Sequence, residues 1–258
     1  MKVIGMVPAR LQSSRIPEKA LIDIMGLPMV IHTCKRAQMA KRLDDIYLVT
    51  DSELIKEAGQ THDIKVIMTG THHKTGSDRL AEACRKVDCD IIVNIQGDEP
   101  LVDPEHIDAI VSPLIKDSTI QISVGVTPYT KKNSSSDIKA VLDLEGNILY
   151  CSRTDLPSAA RTPVHEMLKM CFIVPFRKEF LLKYSSWEPT PLETVEYNEY
   201  LRVLEHGVKI RSVMIENAVI SVDMPEDLEI VRELMKYDTI RQKYQKKEEP
   251  AKFILQRQ

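Results

Sequence analysis

The segment VIGMVPARLQSSRIPEKAL, residues 3–21, decides the fold class because a short apolar run passes directly into a polar loop. Its first part, Val3–Pro8, ends at turn residues, which predicts a buried strand. Apolar runs of the same kind lie at Asp45–Thr50 and Asp90–Gln96, and stretches with helical spacing separate them. Strands that alternate with helices and are apolar throughout favour a parallel sheet with helices on both faces. We therefore predict an α/β fold.

The middle of the chain departs from this alternation. Gln121–Tyr129 predicts a further strand, and residues 139–153 (KAVLDLEGNILYCSR) predict a hairpin that turns at Glu145-Gly146. Downstream we predict a helix over 191–206, a strand over 209–216 and a helix over 225–236. The sequence therefore predicts a Rossmann-like, mostly parallel sheet that carries an antiparallel insertion.

These elements also give the domain organisation that we expect. One domain spans residues 1–242, and its insertion lies near residues 121–175. A charged tail follows over residues 243–258, with the run KKEEP at its centre.

The composition is that of a globular protein, with 43% hydrophobic residues, 28% charged residues and a net charge of −3 at pH 7. This balance gives no indication of a nucleic acid as partner. The five cysteines are odd in number and include no CxxC pair, so we expect reduced thiols rather than a disulfide framework or a zinc site. No segment reaches the roughly 20 apolar residues that span a bilayer, and we expect a cytoplasmic protein without a membrane partner.

Three cations, Arg10, Arg15 and Lys19, lie with Ser13 in the loop that follows the first predicted strand. Ligands of open α/β sheets bind beyond the carboxyl ends of the strands, so this loop is well placed. Arg supplies forked contacts and Lys a point charge, which together suit a triphosphate. The GxxxxGK[ST] pattern of the Walker P-loop is absent. On charge alone, this loop would be interpreted as a solvated basic segment. Its position after the first strand favours phosphate binding instead.

Two carboxylates occupy comparable positions at strand ends. Asp98 follows a buried strand in NIQGDEP, and Asp223 lies between a strand and a helix in SVDMPEDL. Magnesium is commonly held by one or two carboxylates together with phosphate oxygens, although Asp223 also suits a helix N-cap. The combination predicts in-line attack on a metal-bound triphosphate. The pair His72-His73 lies in a polar loop, and we expect it to cap or hydrogen-bond rather than to bind metal.

Several motifs resemble a known family in the same order along the chain. They are PARxxSxRxPxK (8–19), Thr50-Asp51, TGSDRLAEA (75–83), VNIQGDEP (93–100), Ser152-Arg153, PLETVEYNEYLRVLEHG (191–207) and VDMPEDLEIVR (222–232). Together they are similar to the CMP-Kdo synthetase (3-deoxy-manno-octulosonate cytidylyltransferase) family over nearly the whole chain, to about residue 235. The resemblance implies transfer of CMP from CTP to a small acidic sugar, for lipopolysaccharide or surface-glycan synthesis.

The resemblance also assigns roles to matching positions. It implies CTP binding by Arg10, Ser13, Arg15, Lys19, Ser77, Arg79 and Gln96. It implies catalytic roles for Arg10, Lys19 and Asp98, and a Mg²⁺ site at Asp98 and Asp223. The resemblance also implies a homodimer that forms through the inserted region.

The acceptor side departs from the family pattern. Glu18-Lys19-Ala20 stands where Gly-Lys-Pro is usual, Met170 replaces a histidine, Phe172 replaces a glycine and Tyr200 replaces a glutamine. A site built from hydrogen bonds to particular hydroxyls discriminates strongly, so these changes bear on which acid is used. We expect the sugar to contact Arg153, Glu196, Tyr200 and Arg202. For the three charged residues, ion pairing within the protein is the alternative.

Other functions stay open at this point. The acceptor is Kdo, 8-amino-Kdo or a different small acid, such as another ulosonic acid or a phosphonate. A nucleotide-binding protein without catalysis is a second interpretation, which Glu18 beside the basic loop favours. A sugar-1-phosphate nucleotidyltransferase that uses another base is a third, but the first loop has no glycine between Pro8 and Leu21.

Overall fold

A computed structural model describes residues 1–12, 16–73 and 75–245 of the chain. The strands are β1 (Val3–Ala9), β2 (Asp23–Ile24), β3 (Leu27–Pro28), β4 (Asp45–Thr50), β5 (Lys65–Met68), β6 (Ile91–Asn94), β7 (Ser123–Tyr129), β8 (Lys139–Leu142), β9 (Ile148–Ser152), β10 (Met167–Cys171), β11 (Val174–Arg177) and β12 (Arg211–Met214). The α-helices are α1 (Met29–Ala37), α2 (Glu53–Thr61), α3 (Gly76–Ala83), α4 (Pro104–Lys116), α5 (Lys178–Tyr184), α6 (Pro191–Glu196), α7 (Tyr200–Glu205), α8 (Pro225–Lys236) and α9 (Arg241–Tyr244). Short 3₁₀ helices span Lys19–Leu21 and Cys84–Lys86.

The central sheet has the strand order β11-β6-β1-β4-β5. The strands from β6 to β5 are parallel, and β11 pairs with β6 in the antiparallel direction. Alternate residues of β1 pack on opposite faces: Ile4 and Met6 lie in one core cluster with Leu80 of α3, and Val7 lies in another with Val30 of α1. The predicted α/β fold, with helices on both faces of a mostly parallel sheet, is therefore confirmed.

A second five-stranded sheet, ordered β12-β7-β10-β8-β9, contains the predicted hairpin. The hairpin strands β8 and β9 join through a turn in which Gly146 has a φ of 79°, a conformation that glycine adopts without strain. Strand β12 pairs in parallel with β7, and a single bridge between Ile122 and Phe176 links this sheet to the central one. The second sheet therefore meets the central sheet at β11, which contains Phe176.

The single helix predicted over residues 191–206 is wrong in one respect, because the structure divides it into α6 and α7. Tyr197 adopts a left-handed conformation, with a φ of 51°, and ends α6. The break turns α7 back so that Arg202 reaches Glu193. Periodicity in the sequence continues across the break, so it does not reveal this change of direction.

The end of the described chain packs on the domain. The predicted tail begins inside α9, where the hydroxyl of Tyr244 lies 2.7 Å from Nδ1 of the buried His32. The rest of that tail, residues 246–258, lies outside the described residues. None of the helices in the described ranges is long and apolar enough to cross a membrane.

Candidate active site

The candidate active site lies at the carboxyl ends of β1 and β6, where the loops after these strands meet around a cavity of about 310 Å³. A Cβ on Gly97 would lie 2.9 Å from the carbonyl oxygen of Pro8, so glycine allows the two loops to approach backbone to backbone. The polar side chains that line the cavity are Arg10, Gln12, Lys19, His73, Thr75, Arg79, Gln96, Asp98 and Asp223. Sequence elements that are far apart in the chain therefore form one polar cavity.

Lys19 lies between the two carboxylates that the sequence singled out. Its ammonium group donates to Oδ2 of Asp98 at 2.6 Å and to the carbonyl oxygen of Val222 at 2.8 Å, and Oδ1 of Asp223 is 3.7 Å away. The backbone N–H of Val222 donates to the carbonyl oxygen of Asp98 at 2.9 Å, which joins the two carboxylate-bearing segments directly. The structure thus brings both predicted metal ligands to one positive group.

A third carboxylate, Glu99, lies behind this pair and was not identified from the sequence. Its side chain is buried, and Ser221 donates to it at 2.8 Å. Burial, and then the nearby charge of Asp98, raise the pKa of Glu99 to about 7. The only sequence signal was its position directly after Asp98, which does not distinguish a buried acid from an exposed one.

The residues predicted to surround the cytidine differ in their accessibility. Arg79 lines the cavity, and its guanidinium pairs with Asp51 at 2.8 Å and donates to Thr69 at 2.8 Å. Gln96 also lines the cavity, but the hydroxyl of Ser77 is buried and donates to Glu199 at 3.0 Å. The structure therefore brings Arg10, Lys19, Arg79 and Gln96 together and places Ser77 behind them. The two remaining predicted residues, Ser13 and Arg15, lie outside the described residues.

The match to known proteins agrees with this geometry. Residues 4–210 match the family model for cytidylyltransferases. The chain belongs to the cytidylyltransferase family. A 3-deoxy-manno-octulosonate cytidylyltransferase from Geobacter metallireducens is 39% identical over 248 residues, which cover 90% of this chain and 97% of that protein. One from Chlorobium limicola is 35% identical, over 92% of this chain and 98% of that protein.

A solved structure extends the similarity to three dimensions. The structure of CMP:2-keto-3-deoxy-manno-octonic acid synthetase complexed with CTP has a TM-score of 0.88 and 32% identity to this chain. The match covers 92% of this chain and 99% of that one. The whole described fold, including the second sheet, is therefore that of a cytidylyltransferase.

Arg153 and Glu196, two of the residues predicted to contact the acceptor, are hydrogen-bonded to each other in this cytidylyltransferase. The carboxylate of Glu196 accepts from the hydroxyl of Ser152 at 2.5 Å and from the backbone N–H of Arg153 at 2.9 Å. The guanidinium of Arg153 donates to the carbonyl oxygens of Glu196, Ser135 and Tyr197 at 2.9, 2.9 and 3.2 Å. Together these contacts fasten the end of β9 to the end of α6.

The other two predicted acceptor residues, Tyr200 and Arg202, are buried in α7. The ring of Tyr200 stacks on Phe172 with centroids 5.9 Å apart, and burial raises the pKa of Tyr200 well above its usual range. Arg202 forms a fork with Glu193, at 2.7 Å from Nε to Oε2 and 2.5 Å from Nη2 to Oε1. It also lies 5.1 Å from the ring centroid of Tyr184. The ion-pair alternative considered for Arg202 is therefore present in the structure.

A second and larger cavity of about 1060 Å³ adjoins the first. Arg10, His73 and Thr75 line both cavities. The larger one runs between α3 and the segment that contains α6, and its lining includes Asp78, Arg85, Trp187, Glu199 and Arg202. A polar space is thus continuous with the smaller cavity that Lys19 and Asp98 line.

We expect Arg202→Met to lower the free energy of unfolding by about 3–5 kcal/mol, because the buried Glu193 carboxylate loses both donors of its fork. Urea unfolding measures this loss. The double variant Glu193→Leu/Arg202→Met should regain most of it, since neither charge is then left unpaired. Arg85→Met is the matched control, because Arg85 lines the same cavity but is exposed. An unchanged unfolding free energy in Arg202→Met would contradict the structural role.

Proposed function

We propose that this chain transfers CMP from CTP to the anomeric hydroxyl of a 2-keto-3-deoxy sugar acid and releases pyrophosphate, for lipopolysaccharide or surface-glycan synthesis. Kdo or a close analogue such as 8-amino-Kdo is the acceptor. The observation that carries the proposal is the ammonium of Lys19, held between Asp98 and Asp223 beside the basic first loop. The relatives named above, which carry the same activity in their names, support it. The proposal places the enzyme in the cytoplasm, where its five cysteines, all free and buried, would stay reduced.

We propose Mg²⁺ as the cofactor, held by Asp98 and Asp223. The donor set fits this ion, because two carboxylates on neighbouring backbone segments already share one cation, the Lys19 ammonium. When bound there, Mg²⁺ would neutralise phosphate charge and polarise the α-phosphate. The carboxylates would then exchange the ammonium for the metal, and Lys19 would become available to a phosphate oxygen.

The protein's own groups supply the rest of the proposed mechanism. Arg10, Ser13, Arg15 and Lys19 hold the triphosphate, with Arg79 and Gln96 at the cytidine and Ser77 supporting them from behind. The anomeric oxygen attacks the α-phosphorus, the bond from that phosphorus to the bridging oxygen breaks, and pyrophosphate leaves. The hydroxyl proton is released in this step. Positioning of the reactants and of charge therefore provides most of the catalysis.

The residues predicted to contact the acceptor have a supporting role in the proposed site. Arg153, Glu196 and Arg202 form the frame of the sugar-binding region, because each charged group is already engaged within the protein. Tyr200 and Phe172 add a stacked aromatic pair to that frame. Met170 is also buried, and its thioether sulfur is only a weak hydrogen-bond acceptor. Phe172, Met170 and Tyr200 line neither cavity, so they would influence the choice of acid only through the residues that pack in front of them.

Pyrophosphate release from CTP and Mg²⁺ tests the function. The panel of acceptors is Kdo, 8-amino-Kdo, a sialic acid and simple phosphonates, with ATP, GTP and UTP as control nucleotides. We expect release with CTP and with one of the two Kdo compounds. Release only with a phosphonate would keep cytidylyl transfer and replace the acceptor. Confirmed CTP binding without release on any acid would contradict the enzymatic proposal.

Asp98→Asn should reduce turnover at least 10³-fold at saturating CTP, because loss of one carboxylate weakens the proposed metal site where charge develops. Steady-state pyrophosphate release measures the effect, and circular dichroism checks that the variant is folded. Asp88→Asn is the matched control, since Asp88 is exposed and does not line the cavity. Chelation of divalent ions should abolish activity in the unaltered protein, and added Mg²⁺ should restore it. Retained metal-dependent turnover in Asp98→Asn would refute the metal assignment.

We also propose a homodimer that forms through the second sheet and α6. Strand β9 is the outermost strand of that sheet in the order observed, and Leu149 on it is 61% exposed. Val195 lies in α6 and Tyr197 directly follows that helix, and their side chains are 81% and 86% exposed. The hydroxyl of Ser152 bonds to Glu196, which holds the strand and helix together as one surface. Exposed apolar side chains on an edge strand and an adjoining helix indicate an interface.

Val195→Asp should convert the dimer to a monomer, because a charge would be buried without a partner at the interface. Light scattering coupled to size-exclusion chromatography measures the mass. Ile230→Asp provides the control, since Ile230 is an exposed apolar residue of α8 on a different element. A monomer in the unaltered protein, or an unchanged mass in Val195→Asp, would contradict this interface.

A further inference from the structure

The loop between β5 and α3 brings two adjacent histidines against a glutamate on the helix. Ligand atoms of His72, His73 and Glu82 all lie within 4.8 Å of one another. Within residues 1–12, 16–73 and 75–245, this is the one group of three or more His, Cys, Asp or Glu side chains with such a spacing. The hydrogen bonding predicted for the pair is confirmed for His73, because its Nε2 lies 2.7 Å from Oε2 of Glu82. The third residue of the cluster was not evident from the sequence.

Glu82 is held in place by groups around it. Its Oε2 accepts from the backbone N–H of Gly70 at 3.0 Å, and its Oε1 accepts from Lys86 at 3.0 Å. The hydrogen bond from Gly70, together with those from His73 and Lys86, lowers the pKa of Glu82 to about 2, although partial burial opposes this. The carboxylate is therefore ionised throughout the working pH range, and its orientation is set before any ligand arrives.

The loop has space for the two imidazoles because residue 70 is glycine. A Cβ at Gly70 would lie 2.6 Å from ring atoms of His72. The rings of His72 and His73 have centroids 4.3 Å apart. Arg79 steadies the start of the loop by donating to Thr69 at 2.8 Å. The two rings and the carboxylate thus form a small, supported cluster at the wall of the larger cavity, which all three side chains line.

We propose that His72, His73 and Glu82 bind a divalent transition-metal ion of the Zn²⁺ class. Two imidazole nitrogens and one carboxylate oxygen make a three-ligand set that leaves a fourth position open, and all three side chains line the larger cavity. Imidazole favours Zn²⁺, Co²⁺ or Ni²⁺, whereas an all-oxygen set such as Asp98 and Asp223 suits Mg²⁺. Binding replaces the hydrogen bond between His73 and Glu82. Nε2 of His73 and Oε2 of Glu82 then move apart from 2.7 Å to about 3.3 Å, as metal–ligand bonds of about 2.0 Å require.

Cobalt titration tests this site on the full-length protein after removal of metals. Excess Mg²⁺ is present throughout, so that the carboxylates of Asp98 and Asp223 do not bind Co²⁺. We expect one Co²⁺ per chain, with the visible absorption of a low-coordinate nitrogen and oxygen site, and full displacement by one equivalent of Zn²⁺. His72→Ala and Glu82→Gln should each weaken Co²⁺ binding roughly tenfold or more, since each removes a ligand.

Two control variants separate this site from other sources of metal binding. His165→Ala removes an exposed loop histidine, as His72→Ala does, and should leave Co²⁺ affinity unchanged. Asp98→Asn should also leave it unchanged, so that failure of the magnesium proposal and failure of this one are distinguishable. Absence of Co²⁺ absorption in the unaltered protein, or equal affinity in folded His72→Ala, would overturn the inference. A loss in Asp98→Asn alone would overturn it as well.

Discussion

The contact between the Lys19 ammonium and the carboxylates of Asp98 and Asp223 is the interaction on which the site depends. It joins the loop after β1, the loop after β6 and the segment before α8, and Lys19 and Val222 in the first and last of these are 203 positions apart in the chain. Two carboxylates that both lie within 4 Å of one ammonium group would repel each other if that cation were absent. Lys19 supplies that cation within the protein, so the arrangement is stable before any metal or nucleotide arrives.

Apolar packing fixes the geometry of this contact. A separate core cluster places α8 against the loop and helix that follow β1, through Ile16, Ile24, Met29, Val222, Leu228, Val231 and Met235. Because Val222 belongs to this cluster, its neighbour Asp223 is carried to the cavity by burial of apolar surface. Asp98 is positioned differently, by the loop that follows β6, a strand that is buried along its whole length. Packing on two sides thus determines the distance between the charges.

Features that rest on strand ends were predictable from the sequence, because parallel strands bring their carboxyl ends to one edge. Asp98 and the basic loop after β1 fall in this group, as does the α/β sheet itself. Asp223 does not, because β12 ends at Met214 and belongs to the second sheet, so the position of Asp223 depends on the apolar cluster that contains Val222. Features that rest on side-chain direction were not predictable. Ser77 lies on the expected helix, yet its hydroxyl turns away from the cavity toward Glu199. Arg202 matches the family motif, but the left-handed residue Tyr197 turns α7 so that its guanidinium meets Glu193.

The two proposed cation sites differ in chemistry, and this difference limits how each could act. The pair Asp98 and Asp223 offers only oxygen and shares an internal ammonium, which the proposed mechanism would exchange for a hard ion that arrives with a triphosphate. The cluster of His72, His73 and Glu82 has nitrogen ligands, which would favour a softer ion without a nucleotide. Oε1 of Glu82 already pairs with Lys86, so Oε2 would be the oxygen that binds that ion. His73 lines both cavities, which brings the second group to the edge of the first. An ion held there would add fixed positive charge beside the place where a triphosphate enters, while leaving the carboxylate pair to the chemistry.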